Sequence, residues 1–380
     1  MAAASYIEPI GGGRYPLEVP RWCSDERRPL LVTPGPGIGR DEIARGTRSL
    51  WRYGAALPVA IDDPISLGEG CTPLVQRPWG DLRPVFKLEW FNPTGSFKDR
   101  GTTVMLSFLR QLGIDAVLED SSGNGGSSVA GYGAAGGLRV TILAPASTSP
   151  AKIAQVRAYG AAVQLVEGPR EESEAAAIRQ SDRTFYASHN WHPFFLEGTK
   201  SLAYELWEDL GFRAPDAVIM PVGAGSSLLG CAFGFRELLR AGQINRLPRL
   251  YAAQPLNCSP VDASFQAGRD TPVPRPVHRT IAEGTAIKHP MRLREIVGAL
   301  RESGGGTVAL TEDEIVAALR RLARAGLFAE PTCASAAAAL DRLAASGAIT
   351  AGETVAVIVT GTGLKAAGTV ADLVEREPEA

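Results

Sequence analysis

Phe91-Asn92-Pro93-Thr94-Gly95-Ser96-Phe97-Lys98-Asp99-Arg100-Gly101 joins two runs of different periodicity. Before it, the apolar run Val85-Phe86-Lys87-Leu88-Glu89-Trp90 predicts a strand. After it, Val104, Leu106, Leu109 and Leu112 predict an amphipathic helix. Asn92–Ser96 is turn chemistry, with Thr94 or Ser96 placed to cap that helix. Lys98 then stands at the helix's N-terminal end, where the positive end of the dipole opposes a second positive charge. That position suits a lysine whose neutral amine is a nucleophile. A solvated surface lysine is the competing reading.

Working outward, the 380 residues suffice for two domains or for one large domain with an inserted lobe. A hydrophobic fraction of 45% and a charged fraction of 21% are those of a globular chain. The net charge of -2 and the lack of a basic stripe point away from nucleic acid. No apolar run has membrane-spanning length. Met1–Tyr6 lacks the charged start and apolar core of a signal peptide. Cys23, Cys71, Cys231, Cys258 and Cys333 are odd in number and never form a CxxC pair, so no metal or disulfide framework is predicted. A reducing cytoplasm is the expected location.

Residues 1–60 are Pro- and Gly-rich, with one short helix expected near Asp41–Tyr53. From residue 84 strand-like and helix-like runs alternate. Strands are predicted at Ala116–Leu118, Val140–Ala144, Ala162–Val166, Ala217–Val222, Leu250–Ala253 and Thr354–Thr360. Helices are predicted at Lys152–Tyr159, Glu172–Arg179, Gly198–Leu210, Ser227–Ala241, Glu312–Ala325 and Ser335–Ala345. Short apolar strands alternating with helices imply βαβ units and an α/β fold of three αβα layers with mostly parallel sheets, in two lobes.

In such folds ligands sit at the carboxyl ends of strands, and three strand-to-helix loops are unusual. Ser121-Ser122-Gly123-Asn124-Gly125-Gly126 offers hydroxyls and backbone N–H groups at a helix start, which makes an anion site or merely a tight turn. Gly223-Ala224-Gly225-Ser226-Ser227 can approach a phosphate closely. It half-matches a dinucleotide fingerprint, but the next strand ends in Gln254-Pro255 where that fold needs an acid, which excludes NAD. Thr360-Gly361-Thr362 presents two hydroxyls at a strand end. A lysine for a Schiff base, a phosphate loop, an Asn for a ring oxygen and a Thr for a ring nitrogen together meet the requirements of pyridoxal phosphate.

Asn92–Gly101 with Ser122-Gly123-Asn124 resembles the tryptophan-synthase-β-like, fold type II pyridoxal phosphate enzymes, and more narrowly the threonine synthases. Leu50–Tyr53, Ser66–Leu74, Gly198-Thr199-Lys200, Glu330-Pro331 and Thr360–Lys365 support it in the right order. The resemblance implies that Lys98 binds the cofactor and then carries the α-proton. It implies that Asn124 faces the cofactor's phenolic oxygen, that Gly223, Ala224, Gly225, Ser226 and Ser227 cradle its phosphate, and that Thr360, with Thr362 next, meets its ring nitrogen. Ser121, Ser122 and Gly123, beside Gly125, are implied at the substrate carboxylate. A neutral Thr leaves the ring a weaker electron sink than a carboxylate would, which favours elimination and replacement over transamination.

Two departures shape the substrate. Threonine synthases carry a cation near Asn-Pro-x-Arg to grip a phosphorylated substrate. Here His192-Pro193-Phe194-Phe195 puts a phenyl ring there, and a ring cannot bind a dianion. Gly125 stands where Thr is frequent. His192 and Phe195 are thus candidate substrate residues, and a dehydratase or ammonia-lyase type of small amino acid is favoured. Threonine synthase proper and a non-catalytic ligand-binding paralogue are the alternatives. Expected lobes are 1–92 with 195–380 (large, with an N-terminal extension to about 45) and 93–194 (small, mobile). Family members imply a homodimer, and no C-terminal regulatory domain is expected.

Overall fold

Ala217–Pro221 and Val355–Val359 are buried at every position. A strand without polar alternation belongs in the interior of a parallel sheet. In the structure, a computed structural model describing residues 4–121, 123–148 and 150–375, these two strands pair in parallel. In chain order the strands are β1 (Ser5–Ile7), β2 (Arg14–Pro16), β3 (Leu31–Val32), β4 (Leu74–Gln76), β5 (Val85–Leu88), β6 (Ala116–Glu119), β7 (Arg139–Pro145), β8 (Ala162–Val166), β9 (Phe185–Tyr186), β10 (Ala217–Pro221), β11 (Arg249–Pro255), β12 (Gly306–Leu310) and β13 (Val355–Val359). The helices are α1 (Lys98–Gln111), α2 (Asn124–Gly136), α3 (Pro150–Ala158), α4 (Arg170–Gln180), α5 (Pro193–Thr199), α6 (Ser201–Asp209), α7 (Ser226–Arg240), α8 (Pro260–Gln266), α9 (Leu293–Glu302), α10 (Glu312–Arg324), α11 (Pro331–Ala345) and α12 (Ala367–Glu375).

The chain forms two compact units. One comprises 1–71, 92–204 and 236–243. Its main sheet runs β8-β7-β6-β9, all parallel, beside a small antiparallel sheet β2-β1-β3. The other comprises 72–91, 205–235 and 244–380, and its sheet runs β12-β11-β10-β13-β5-β4. Only β4, at the edge, pairs antiparallel there. The Ala-rich α11 packs on β10, β11, β12 and β13. Alanine there keeps the side chains short, so the helix backbone lies close to the sheet.

Three expectations need correction. Residues 1–71 group with α1, α2 and α5, not with the six-stranded sheet, because Tyr6, Leu17, Leu30, Val32 and Leu50 share one core with Phe108 and Phe194. In place of a helix over Asp41–Tyr53 there are 3-10 turns at Arg40–Glu42 and Leu50–Ala56, separated by a segment holding Gly46. The predicted single helix Gly198–Leu210 is α5 followed by α6. The break falls at Lys200, whose buried ammonium bonds Ala56 O (2.8 Å), Glu197 Oε2 (2.5 Å) and Glu237 Oε1 (3.2 Å). A buried ammonium needs such partners, and local helix propensity yields to that need.

Lys87 on β5 poses the same problem in the other unit. Its fully buried Nζ lies 2.6 Å from Glu205 Oε1, 2.7 Å from Asp209 Oδ2 and 2.6 Å from Thr72 O. Removing one partner of a buried pair costs about 3–5 kcal/mol, because the other charge is left uncompensated. Lys87→Met should therefore lower the unfolding free energy in urea by that amount. Adding Glu205→Gln should recover part of the loss, and an additive loss would contradict this account.

Candidate active site

Lys98 opens α1, after Phe97 with φ -57° and ψ -17°. Neither expected hydroxyl caps the helix. Ser96 Oγ is buried with no hydrogen-bond partner among the described residues. The Thr94 hydroxyl donates instead to Asp99 Oδ1 (2.5 Å), and the Thr94 amide donates to Asp99 Oδ2 (2.7 Å). Gly95, at φ +88°, provides the left-handed residue between them. A carboxylate in a helix's first turn is favoured by the dipole and accepts more strongly than a hydroxyl. Asp99 Oδ1 also accepts from Ser128 Oγ of α2 (2.6 Å). The helices that begin with Lys98 and Asn124 are thereby tied together. α1 is not amphipathic as predicted: Gly101–Leu109 are buried throughout.

Phe195, on α5, is fully buried against Gly101 of α1. A Cβ at Gly101 would come within 2.6 Å of three of its ring atoms, and one at Gly198 within 2.0 Å of Arg100 O. Two glycines thus let α1 and α5 meet, and they seat the ring beside Lys98. Lys98 Nζ is 4.8 Å from the Phe97 ring centroid and 5.6 Å from that of Phe195.

At the end of β6, Ser121 is buried, its carbonyl so close to α2 that a Cβ at Gly126 would lie 1.8 Å from it. Gly123 is exposed at the N-cap of α2, and Asn124 is partly buried as its first residue. Ser122 lies outside the described residues. His192 has a structural position. It caps α5, its Nδ1 accepting from the Phe194 amide (3.3 Å), and its ring packs on Phe108, Phe185 and Phe194.

Sequence reasoning missed His189 and Glu119. Glu119 ends β6 and is fully buried. Its Oε1 lies 2.6 Å from His189 Nδ1, and its Oε2 accepts from the His189 amide (2.9 Å). The His189 ring meets Phe195 edge-on at 5.8 Å. Burial pushes the Glu119 pKa up to about 8, while burial and then the Lys98 charge hold His189 well below its ordinary value. Burial, then the Glu119 charge, raises Asp120, which accepts from the Tyr186 hydroxyl at 2.6 Å. The available signal was Glu119-Asp120 itself, two acids at the end of an apolar strand just before the glycine loop.

In the six-stranded unit, Gly223–Gly225 lead from β10 into α7. Gly225 has φ +84°, and a Cβ there would meet Ile296 at 2.3 Å. A Cβ at Gly223 would lie 3.0 Å from Thr285 Cα. Ser226 and Ser227 are buried in the first turn of α7, and Ser227 Oγ has no hydrogen-bond partner among the described residues. An orphaned hydroxyl and bare backbone at the start of a long helix suit a phosphate. Ala224 is partly buried in the same loop. The Gln254 amide is used internally, donating to Val222 O (2.9 Å) and accepting from the Asp262 amide (3.0 Å). Thr360, buried at the end of β13, has its Oγ1 3.4 Å from Cys333 Sγ. That thiol also accepts from the Gly361 amide (3.2 Å), and burial pushes its pKa up to about 12, so it stays protonated. Neither the hydroxyl nor the protonated thiol carries a charge. Thr362 caps the following 3-10 turn, its hydroxyl accepting from the Leu364 amide.

The raised pKa of Glu119 makes a stability prediction. A carboxyl that ionises near 8 when folded and near 4.5 when unfolded adds stability that is complete below 4.5 and is lost as pH rises to 8. In that window the wild type should lose about 1.4 kcal/mol per pH unit relative to Glu119→Gln. Denaturant titrations of both proteins between pH 5 and 9 measure the gap, and a pH-independent gap would contradict an elevated Glu119.

Among the described residues no group of three or more His, Cys, Asp or Glu side chains could hold a metal, and no helix is long and apolar enough to cross a membrane. The family model for pyridoxal-phosphate dependent enzymes matches residues 65–361. The threonine synthase of Methanosarcina acetivorans is 34% identical over 347 residues, 89% of this chain and 85% of that protein. That of Methanocaldococcus jannaschii is 34% identical over 337 residues, 86% and 83% of the two chains. Among solved structures, a fungal L-serine ammonia-lyase from Rhizomucor miehei aligns with a TM-score of 0.71 at 20% identity, over 81% of this chain and 98% of that one. With Lys98 at the head of a helix and a glycine loop suited to a phosphate, this chain belongs to the pyridoxal-phosphate dependent enzymes of fold type II.

Proposed function

We propose that the protein is a lyase that acts at Cβ of a small amino acid carrying no phosphate, by elimination or by elimination and replacement. Phe195 supports this reading. A buried phenyl ring, fixed by Gly101, stands where threonine synthases place a cation, and it offers no hydrogen bond to a dianion.

Pyridoxal phosphate, when bound, supplies the carbonyl that captures an amine and the electron sink that makes the substrate's α-hydrogen acidic. In this reading Lys98 would hold the cofactor, and its Nζ would take the substrate's α-hydrogen as a proton. The α1 dipole opposes a positive charge at that position. Gly223–Ser227 would receive the phosphate, with the Ser227 hydroxyl gaining an acceptor. Thr360 would offer the ring nitrogen a neutral hydroxyl, and Asn124 would serve the phenolic oxygen. Ser121, Gly123 and the first N–H groups of α2 bind the substrate carboxylate. Gly125 keeps that helix start free of a side chain.

Identity of 34% to curated threonine synthases over most of both chains favours a second reading, in which phosphohomoserine is the substrate. The cofactor-loaded protein, assayed on L-serine, L-threonine and phosphohomoserine, separates the two. Ammonia and keto acid from a hydroxyamino acid are expected, without phosphate release. Phosphate release accompanied by threonine would overturn the proposal. Lys98→Ala should lose turnover by more than a thousandfold and shift the visible absorption of the bound cofactor. An unchanged spectrum would remove Lys98 from its role.

A further inference from the structure

We propose that His189, oriented by Glu119, is a specificity-determining residue whose Nε2–H donates a hydrogen bond to an oxygen on the side chain of the amino-acid substrate. This rests on the amino-acid lyase reading and deepens it.

His189 Nδ1 and backbone amide both engage one carboxyl group, which fixes the ring in plane and direction. The hydrogen bonds of His189 among the described residues run through its backbone amide and Nδ1, and none through Nε2. The ring shares the Phe195 ring with Lys98: the imidazole is 5.8 Å and the ammonium 5.6 Å from the Phe195 centroid. It also borders the start of α2, where a Cβ on Gly125 would lie 2.8 Å from His189 Nδ1 and 3.0 Å from Ser121 Oγ. Any side chain at 125 would displace the imidazole. The glycine at 125 and the phenyl ring at 195 are therefore both packed against His189. A cation has given way to an apolar wall with one directional donor, which suits a neutral polar side chain and not a dianion.

Glu119 decides which ring nitrogen carries hydrogen. The His189 amide occupies Oε2, so a proton on Glu119 sits on Oε1 and points at Nδ1, and the neutral imidazole then keeps its hydrogen on Nε2. As pH rises through about 8 the carboxyl ionises, the hydrogen moves to Nδ1, and Nε2 becomes an acceptor. The charges facing the pair are Lys98 on α1, Asp120 after β6 and Arg170 on α4. Glu119 is thus a positioning residue, and His189 the contact.

The test compares L-serine with L-2-aminobutyrate, which replaces the hydroxyl by a methyl, by rapid-mixing absorbance titration of the cofactor-loaded protein, which reads binding before turnover. The wild type should prefer serine by about tenfold, the worth of one hydrogen bond. His189→Phe, which keeps a ring against Phe195, should reduce the ratio to near one and leave 2-aminobutyrate affinity within about threefold. His189→Gln should restore part of the preference. Imidazole 15N spectra should show hydrogen on His189 Nε2 below pH 8 and on Nδ1 above it. In Glu119→Gln, whose amide must donate to Nδ1, Nε2–H should persist at all pH values. Equal wild-type affinity for the two amino acids, a serine preference that survives His189→Phe, or Nδ1–H below pH 8 would each overturn the proposal. If His189→Phe does not fold, His189→Gln and the wild-type spectrum decide. A wild type that turns over hydroxyamino acids but fails these tests refutes His189 alone. One that neither binds nor turns over any amino acid refutes the lyase reading and this proposal with it.

Discussion

The Asp99 carboxylate is buried and accepts three hydrogen bonds, from the amide and hydroxyl of Thr94 and from the hydroxyl of Ser128. Hydrogen bonds to a charged group contribute about 1.5–3 kcal/mol each, and an orphaned buried donor costs about as much. The turn before α1, the first turn of α1 and the second turn of α2 therefore share one acceptor, and none can shift without stranding a donor. Lys98 precedes Asp99 and Asn124 opens α2, so this carboxylate sets the spacing of both. Pre-organisation of this kind is what a site needs if a nucleophile and a hydrogen-bonding amide are to reach one ligand together.

Glycine does the complementary work of removing atoms. At Gly101, Gly125, Gly126 and Gly198 a Cβ would overlap a neighbour, and each neighbour belongs to the same neighbourhood: Phe195, His189, Ser121 or the backbone of α1. α1 accordingly lies directly on α5, and β6 directly on the start of α2. The resulting wall near Lys98 is buried and aromatic, with the His189 imidazole set into it. Electrostatic interactions strengthen in such surroundings, and an uncompensated charge becomes expensive.

Buried charge is handled in two ways within the chain. Lys87 and Lys200 each sit among carboxylates and carbonyls, and both pin elements in place. Glu119 and His189 have no such surplus of opposite charge and tend toward a shared proton and neutrality. Such a pair rests neutral near Lys98, and it changes which nitrogen carries hydrogen when it loses one proton.

The parallel sheets were legible in the chain because the apolar runs 217–222 and 354–360 are short, rich in β-branched residues and followed at once by glycine, which reads as buried strands, and the three glycine and hydroxyl loops follow strand ends by turn chemistry. Lys98 at a helix start was legible for the same reason: residues within one turn of each other report on local geometry. Other features exceeded that reach. Asp99 displaced Ser96 as the organiser of the α1 start because it is the stronger acceptor, which spacing does not rank. Residues 1–71 joined the unit of α1 and α5 because Tyr6 and Leu30 found Phe108 and Phe194 there, a preference of packing without periodicity. His192 went to a helix cap while His189 took the place beside Lys98. Its carboxylate partner is 70 residues away, and a contact at that separation exists only once β6 and the segment before α5 are folded together.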